Sequence, residues 1–381
     1  MKDGQTGIVS LFLIAALESG LCHQRHTMNQ STIFRTVLMG IAILLVMGAI
    51  STPFTLITTA DTTEKNVTQT ITDLAGRDVI VPDPVTRITC LHPIPTYMAW
   101  RLAPEKLVSI DMVSKTRTYL LPESEREKFL SLPMTGVYFK GLNNEQVISL
   151  KPDVVVSMTK DPNIEKEQET FAIPVVAVKK DTIESYEPSF RLMGKLLGNE
   201  KEGDELADYW NDVIKRVTDT SSKIPEDQRL KVYYTALENA HTTVGSATIM
   251  SSMVKDAGGI SYADAISLAG DPTNEHVTVP VEDVLKWNPD VIIAQNTNVS
   301  SEVMTDPIWK DTSAVKNNRV YCVPKYEFPD GVTSIIGLMW IAEKLYPDQF
   351  QFDFRNEVRE YFKKFYKVSD LTDTQIDQEN S

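Results

Sequence analysis

Cysteine and basic residues are scarce in this chain. Its three cysteines include no Cys-x-x-Cys spacing, which argues against a zinc ribbon or a dithiol redox centre. Cys90 and Cys322 lie in apolar, strand-like runs and are expected to be buried free thiols. The 52 acidic residues outnumber the 38 basic ones, giving a formal net charge of −14. A nucleic-acid partner is therefore not expected, because phosphates require a basic surface.

Familiar catalytic signatures are also missing. The sequence has no Gly-x-Ser-x-Gly elbow, no Gly-x-x-x-x-Gly-Lys phosphate loop and no Gly-x-Gly-x-x-Gly after a strand. These absences favour a protein that is not an enzyme and holds no cofactor. A two-lobed α/β enzyme of unfamiliar type is kept as an alternative, because fold does not determine function.

The N-terminal part of the chain reads as a targeting segment. Arg35 precedes an uncharged stretch over residues 36–60, the pattern of a signal peptide. We expect residues 1–60 to be a signal peptide or an uncleaved anchor, since the stretch is also about long enough to span a bilayer. Translation is expected to begin at Met28, which makes residues 1–27 a spurious extension. The protein is then exported, to the periplasm or the cell surface.

One pattern occurs twice in the remaining chain. A glutamate opens a short amphipathic helix, Pro-Asp ends it, and three β-branched residues predict a strand buried on both faces. The first copy begins at Glu145 and runs through Pro152-Asp153, and the second begins at Glu282 and runs through Pro289-Asp290. A helix followed by a buried strand is half of a parallel α/β crossover. The repeat predicts two similar α/β lobes, with a ligand cleft between them.

The predicted fold is two Rossmann-like α/β lobes joined by one long helix. A charged, proline-free stretch predicts this helix near residues 199–222, about 35 Å long at 1.5 Å per residue. The polar tail is expected to be frayed. The predicted boundaries are a spacer at 61–70, an N-terminal lobe at 71–198, a connecting helix at 199–223, a C-terminal lobe at 224–366 and a polar tail at 367–381.

Several blocks, in order, resemble the exported substrate-binding proteins of ABC importers for ferric siderophores, cobalamin, haem and related metal chelates. The resemblance covers roughly residues 70–365. It rests on Thr72-Asp73-x-x-Gly76-Arg77, the two glutamate blocks, the helical connector, Gly245-Ser246, Ala257-Gly258-Gly259, Asp306-Pro307-Ile308-Trp309, Arg319-Val320-Tyr321 and Trp340-Ile341-Ala342.

This resemblance implies a function and a set of partners. The protein would capture a metal chelate and deliver it to an ABC permease dimer that carries ATPase subunits. A ferric siderophore is the first expectation, and cobalamin, haem or a nickel or cobalt complex are the others. In this family one glutamate on each lobe docks onto permease arginines, which implies that role for Glu145 and Glu282, exposed and away from the ligand. The protein would be a monomer that meets the membrane through the permease or its own N-terminal anchor; a membrane-anchored ligand-sensing ectodomain is the alternative.

Ligand contacts are expected just after strands, where the carboxyl ends of parallel strands open into a cleft. Aromatic rings with a few polar groups would suit a bulky chelate. The candidates are His92, Tyr97, Trp100, Tyr138, Phe139, Met158, Lys160, Asn239, His241, Asn296, Tyr326 and Phe328.

Histidine is rare after the N-terminal segment. His92, His241 and His276 all fall in predicted loops at or after strand ends, without His-x-His or His-x-x-x-His spacing. A metal site built from these three residues is an open alternative to three solvated loop histidines.

Overall fold

The computed structural model describes residues 67–118, 121, 123–265, 270–325 and 332–379. The predicted signal or anchor segment and most of the spacer lie outside the described residues. Within the described part of the chain, no helix is both long and apolar enough to cross a membrane. Cys90 and Cys322 are buried free thiols, which confirms the prediction for both.

The described chain begins with an antiparallel hairpin. Strand β1 (Thr68–Thr72) pairs with β2 (Asp78–Pro82), and Gly76 in the turn has φ +79°. The Asp73 carboxylate accepts hydrogen bonds from the backbone N–H groups of Ala75 and Arg77 and holds the Arg77 guanidinium. It also accepts from the N–H of Ala177, 3.1 Å away. The Thr-Asp-x-x-Gly-Arg block is thus a turn that anchors the hairpin to the first sheet.

The N-terminal lobe is built on a parallel sheet of order β3-β6-β7. Its core strands are fully buried, as their β-branched runs predict. The strands of this lobe are β3 Ile88–Cys90, β4 Gly136–Val137, β5 Gly141–Leu142, β6 Val154–Met158 and β7 Val175–Val178. Its helices are α1 Pro93–Leu102, α2 Glu123–Leu130, α3 Asn144–Ser149, α4 Ile164–Phe171 and α5 Tyr186–Leu197.

The long connector is helix α6, Glu200–Ser221, which confirms the predicted single helix between the two sheets. At its start α6 packs tightly on α5. A Cβ added at Gly194 would lie 2.9 Å from the Gly203 Cα, so the two backbones meet where neither residue has a side chain. At its end, the Ser221 hydroxyl donates to the carbonyl of Asp256 in the second lobe. One helix therefore contacts both lobes.

The C-terminal lobe is built on a parallel sheet of order β10-β8-β12-β13. Its strands are β8 Lys231–Tyr234, β9 Thr242–Thr243, β10 Ile260–Ser261, β11 Val277–Thr278, β12 Val291–Ala294 and β13 Val320–Cys322. Its helices are α7 Ile249–Asp256, α8 Tyr262–Ala265, α9 Val281–Trp287, α10 Thr297–Thr305, α11 Ser313–Lys316 and α12 Ser334–Leu345. Short 3₁₀ turns occur at Ser114–Thr116, Ile183–Ser185, Glu226–Gln228 and Pro307–Trp309.

The repeated sequence block adopts one structure in both lobes. A residue with positive φ comes directly before the proline in both copies, Lys151 (48°) after α3 and Asn288 (54°) after α9. The following aspartates then bind the neighbouring strand. The Asp153 carboxylate accepts from the N–H of Arg87 and that of Asp290 from the N–H of Lys231, each at 2.9 Å. The Pro-Asp pair therefore starts the buried strand and sets its register.

The C-terminal segment is more ordered than the sequence predicts. Helix α13 (Phe354–Tyr366) lies on α6, where Arg216 pairs with Glu357, and α14 (Asp373–Ile376) follows. Arg355 and Arg359 hold the carboxylate of Asp373. The prediction of a frayed tail is thus wrong for residues 367–379, because basic side chains of α13 bind the acidic residues of the tail.

Candidate ligand site between the two lobes

An aromatic group lies at the carboxyl edge of the N-terminal sheet. His92 follows β3 and caps α1, and its Nδ1 accepts from the N–H of Ile94 at 3.2 Å. Its ring centroid lies 5.7 Å from that of Tyr138 and 5.8 Å from that of Phe139. Phe139 is 51% exposed, which leaves an apolar surface open to a ligand. The structure thus brings three predicted site residues together.

Three other candidates of this lobe lie inside its core. The Tyr97 hydroxyl donates to the Arg117 carbonyl at 2.9 Å, and Trp100 Nε1 donates to Glu125 at 2.7 Å. Met158 is fully buried at the end of β6. Helix α1 is covered on nearly all sides, so its aromatic residues pack against α2 and the following turn. This placement favours a packing role for Tyr97, Trp100 and Met158, contrary to the expectation that they face a ligand.

Lysines dominate the next two strand ends. Lys160 follows β6, and Lys179 and Lys180 follow β7, the neighbouring strand of the sheet. Lys160 and Lys179 both lie near the Asp181 carboxylate, at 3.6 and 3.8 Å. The side chain of Lys180 is only 5% exposed. A buried ammonium group requires an anionic partner, so this edge of the sheet is suited to bind anions. We call the edge formed by Lys160, Lys179 and Lys180 the lysine edge.

The candidates of the C-terminal lobe organise the loop after β8. Asn239 Oδ1 accepts from the N–H of His241 at 2.9 Å and from the Thr242 hydroxyl at 3.0 Å. Asn296 caps α10 and its Nδ2 donates to the Leu237 carbonyl. The predicted residues of this lobe therefore hold loops in place through their polar atoms. Two further candidates, Tyr326 and Phe328, lie outside the described residues.

The histidines do not form a metal centre. His241 Nε2 lies 3.6 Å from the Glu302 carboxylate, and His276 Nδ1 lies 2.6 Å from that of Glu238. Across residues 67–379, apart from the undescribed gaps, no three His, Cys, Asp or Glu side chains are grouped to hold an ion. The structure does not bring His92, His241 and His276 together, because each histidine has a separate local partner.

A loop of the C-terminal lobe, residues 271–276, crosses to the lysines of the N-terminal lobe. Glu275 Oε1 lies 2.8 Å from Lys180 Nζ and 3.5 Å from Lys160 Nζ. Lys160 Nζ also donates to the Thr273 carbonyl at 3.3 Å. Thr273 and Glu275 were not among the predicted site residues, since neither follows a strand and turn-forming residues such as Pro272 and Asn274 surround them. These contacts place the lysine edge between the lobes.

Glu145 and Glu282 occupy equivalent, exposed positions in the first turns of α3 and α9. Helix α3 follows β5, near the point where the N–H of Tyr138 donates to the carbonyl of Leu91, just past β3. Helix α9 follows β11, which pairs with β9 just past β8. Both helices thus start at the carboxyl edge of their sheet. Glu145 and Glu282 are thus exposed at equivalent places, one on each lobe, and their position on one outer face away from the ligand stays a prediction.

The fold and this cleft define a class of proteins that bind a solute between two α/β lobes. The periplasmic binding protein family matches residues 103–327, more than half of the chain. The chain belongs to this family. It is a substrate-binding protein of an ABC transporter and not an enzyme.

Curated relatives span most of the chain. The molybdate-binding protein MolA of Haemophilus influenzae is 27% identical over 333 residues, which cover 78% of this chain and 91% of the relative. An ABC transporter substrate-binding lipoprotein of Bacillus subtilis, YvrC, is 27% identical and covers 74% of this chain and 87% of its own length. The haem uptake protein IsdE of Staphylococcus aureus is 23% identical, and the match covers 66% of this chain and 85% of the relative.

Solved structures share the fold. A solute-binding protein of an ABC transporter from Sulfurospirillum deleyianum superimposes with a TM-score of 0.71 at 24% identity, covering 80% of this chain and 97% of that one. The molybdate-bound structure of MolA superimposes with a TM-score of 0.69 at 26% identity, covering 80% and 100%. The predicted arrangement of two lobes around a cleft is thereby confirmed.

Proposed function

We propose that this protein captures an anionic metal chelate between its lobes, foremost a ferric siderophore or ferric carboxylate, and delivers it to an ABC permease. The observation that carries the proposal is the lysine edge. Lys160 and Lys180 extend from adjacent strands toward the other lobe, where both meet a carboxylate. A ligand that carries anionic oxygens would satisfy the same two ammonium groups.

The aromatic group supports a chelate with an organic shell. Tyr138 and Phe139 lie edge to face, 5.2 Å apart, at the end of the same sheet. Exposed rings of this kind bind apolar parts of a ligand, while a few charged groups fix its orientation. A protein of Bacillus subtilis named for ferric citrate is 28% identical over 203 residues, which supports this ligand class. Cobalamin, haem and a nickel or cobalt complex remain further candidates.

Molybdate is the second candidate ligand. It is favoured by the similarity to MolA, which covers more of the chain than the ferric citrate relative does. A bare oxyanion would use the lysine edge and would not need the rings of Tyr138 and Phe139. The two candidates therefore predict different effects when Phe139 is truncated. A chelate would lose affinity in Phe139→Ala, whereas molybdate would bind as before.

A titration panel tests the proposed ligand class. Ferric citrate, a ferric hydroxamate, a ferric catecholate, molybdate, cobalamin, haem and nickel–histidine are each titrated into the protein by calorimetry. We expect submicromolar binding of at least one anionic metal species, without chemical conversion. Native mass spectrometry with metal analysis of protein purified from its own host identifies any ligand carried along. Failure of every anionic member of the panel would contradict the proposal.

Charge-removing variants test the site. Lys160→Met and Lys180→Met should each weaken the bound panel member by about tenfold or more, since each removes a charged hydrogen bond from a partly desolvated site. Lys201→Met is the matched control, because its side chain is 93% exposed on the connecting helix. Equal affinities in all three variants would place the ligand elsewhere.

Delivery to the permease would use the two equivalent glutamates. Glu145 and Glu282 are exposed, one on each lobe, as the docking role on permease arginines requires. Exposed charge pairs of this kind set register and association rate more than they add affinity. Co-purification with the permease dimer and its ATPase subunits would support the importer role. A chain that retains its N-terminal segment and captures no permease would favour a membrane-anchored sensor instead.

A further inference from the structure

The carboxylate of Glu275 lies in the position that the anion of a ligand would take. A single oxygen of Glu275 meets two lysines of the opposite lobe, at 2.8 Å from Lys180 Nζ and 3.5 Å from Lys160 Nζ. The side chain of Glu275 is 20% exposed, that of Lys180 5% and that of Lys160 17%, so water screens their charges only in part. Ion pairs with such limited exposure are screened far less than surface pairs.

The loop that carries Glu275 is held firmly by its own lobe. The N–H of Gly245 donates to the Asn274 carbonyl at 2.7 Å, and the N–H of Ala247 donates to the Pro272 carbonyl at 2.8 Å. A Cβ on Gly245 would lie 2.2 Å from the Pro272 oxygen, so the loop lies directly against the backbone at Gly245. Glu275 is therefore presented from a fixed loop and not from a floating one.

We infer that Glu275 is a built-in competitor for an anion subsite formed by Lys160 and Lys180. Without ligand, its carboxylate pairs with both lysines and holds the lobes together, while Asp181 supplies a second negative charge beside Lys160. An anionic ligand must displace the carboxylate, so a species with several anionic oxygens is favoured over a monoanion. After displacement, the like charge of Glu275 remains nearby and lowers the affinity, which assists release to the permease. The competition with a ligand rests on the proposed anionic ligand, whereas the contact between the lobes does not.

Affinity measurements test the competition. Glu275→Gln keeps the shape of the side chain and removes its charge, so it should bind ferric citrate or molybdate about tenfold more tightly than the unaltered protein, a typical coupling between two competing groups. Asp311→Asn is the matched control, since Asp311 is a carboxylate of the same lobe that is 75% exposed and pairs with Lys316 of its own lobe. Unchanged or weaker binding by Glu275→Gln, with the unaltered protein binding normally, would overturn the inference.

A ligand-free measurement keeps the two ideas separable. Spin labels at Lys166→Cys in α4 and Ser301→Cys in α10, both exposed positions on opposite lobes, report the distance between the lobes in a Cys22→Ser background. In ligand-free protein, Glu275→Ala should lengthen and broaden the distance distribution, while Asp311→Ala should not. A distribution unchanged by Glu275→Ala would overturn the interlobe contact even if no panel member binds. Absence of binding together with a broadened distribution would refute the proposed ligand class alone.

Discussion

The two lobes share a plan and differ in charge where they face each other. Their sheets have the same order, because β3, β6 and β7 correspond to β8, β12 and β13, and Leu107 bridges Ile88 where β10 pairs with β8. The strand ends differ. The N-terminal lobe presents lysines after β6 and β7, whereas the loop of the C-terminal lobe that meets them presents the carboxylate of Glu275.

This difference separates two kinds of information in the sequence. The repeated Pro-Asp unit starts a buried strand in both lobes, and in each its carboxylate accepts from a backbone N–H of the neighbouring strand region. The residues that follow the strands are free to vary, since the sheet holds them without depending on them. Here, these residues bring opposite charges together, Glu275 on one lobe with Lys160 and Lys180 on the other.

The largest expected effect comes from reversing the equivalent glutamates. Glu145→Arg combined with Glu282→Arg should nearly abolish transport by the reconstituted importer, because both lobes would repel the permease arginines. Ligand affinity and folding should stay almost unchanged, since exposed substitutions usually alter stability by less than about 0.5 kcal/mol. Transport of radiolabelled ligand into proteoliposomes measures this effect.

The single variants sharpen the comparison of the lobes. If the lobes are equivalent at the permease, Glu145→Arg and Glu282→Arg should reduce transport to a similar degree. Lys201→Glu, a charge reversal on the exposed face of α6, serves as the control. Normal transport by the double variant would mean that the glutamates are only helix-start residues. A loss of ligand affinity would mean that they belong to the binding site.

The repeated aspartates should contribute unequally to stability. Asp153 accepts from the N–H groups of Thr86 and Arg87 and from the Thr86 hydroxyl, whereas the side chain of Asp290 accepts from the N–H of Lys231. We expect Asp153→Ala to lower the free energy of unfolding by about 2 kcal/mol and Asp290→Ala by about 1 kcal/mol. Urea denaturation measures both values. A larger loss at Asp290 would contradict this ranking.

A smaller effect concerns pH and a buried carboxyl group of the N-terminal lobe. Burial, together with the hydrogen bond and charge of Asp161, raises the pKa of Glu167 from its ordinary value of 4.5 to about 8. The folded state therefore keeps a proton that the unfolded chain releases. This contribution to stability is complete below pH 4.5 and is lost as the pH rises through about 8.

The variant Glu167→Gln tests the predicted effect of the Glu167 proton on stability. It resembles the protonated side chain, so its stability should fall less between pH 5 and pH 9 than that of the unaltered protein, by about 1 kcal/mol or more. Glu169→Gln, at an exposed position of the same helix, is the control. Parallel pH profiles for the two variants would mean that Glu167 titrates normally in the folded state.

Local patterns predicted much of the fold. The hairpin follows from Asp73 and Gly76, and the helix starts follow from caps such as Asn143, whose side chain accepts from the N–H of Gln146. The buried strands and the long helix follow from β-branched runs and from uninterrupted helical sequence. Each of these features depends on residues close together in the chain.

The site was harder to predict because it depends on distant residues. Position after a strand placed His92 and Lys160 at the carboxyl edge of the sheet, but it could not show that Tyr97 turns into the core or that Glu275 reaches the opposite lobe. The tail was predicted to be frayed because its acidic residues carry no sign of their partners, Arg355 and Arg359. Long-range ion pairs leave no periodic signal in a sequence.

The location of the bound metal tests whether an anionic ligand replaces Glu275 beside Lys160 and Lys180. Crystals grown with the tightest anionic metal species of the panel are measured at the absorption edge of its metal. We expect one anomalous peak between the lobes, beside Lys160 and Lys180, with Glu275 displaced from them. A peak on the outer surface, or a metal bound with the Glu275 contacts intact, would contradict it.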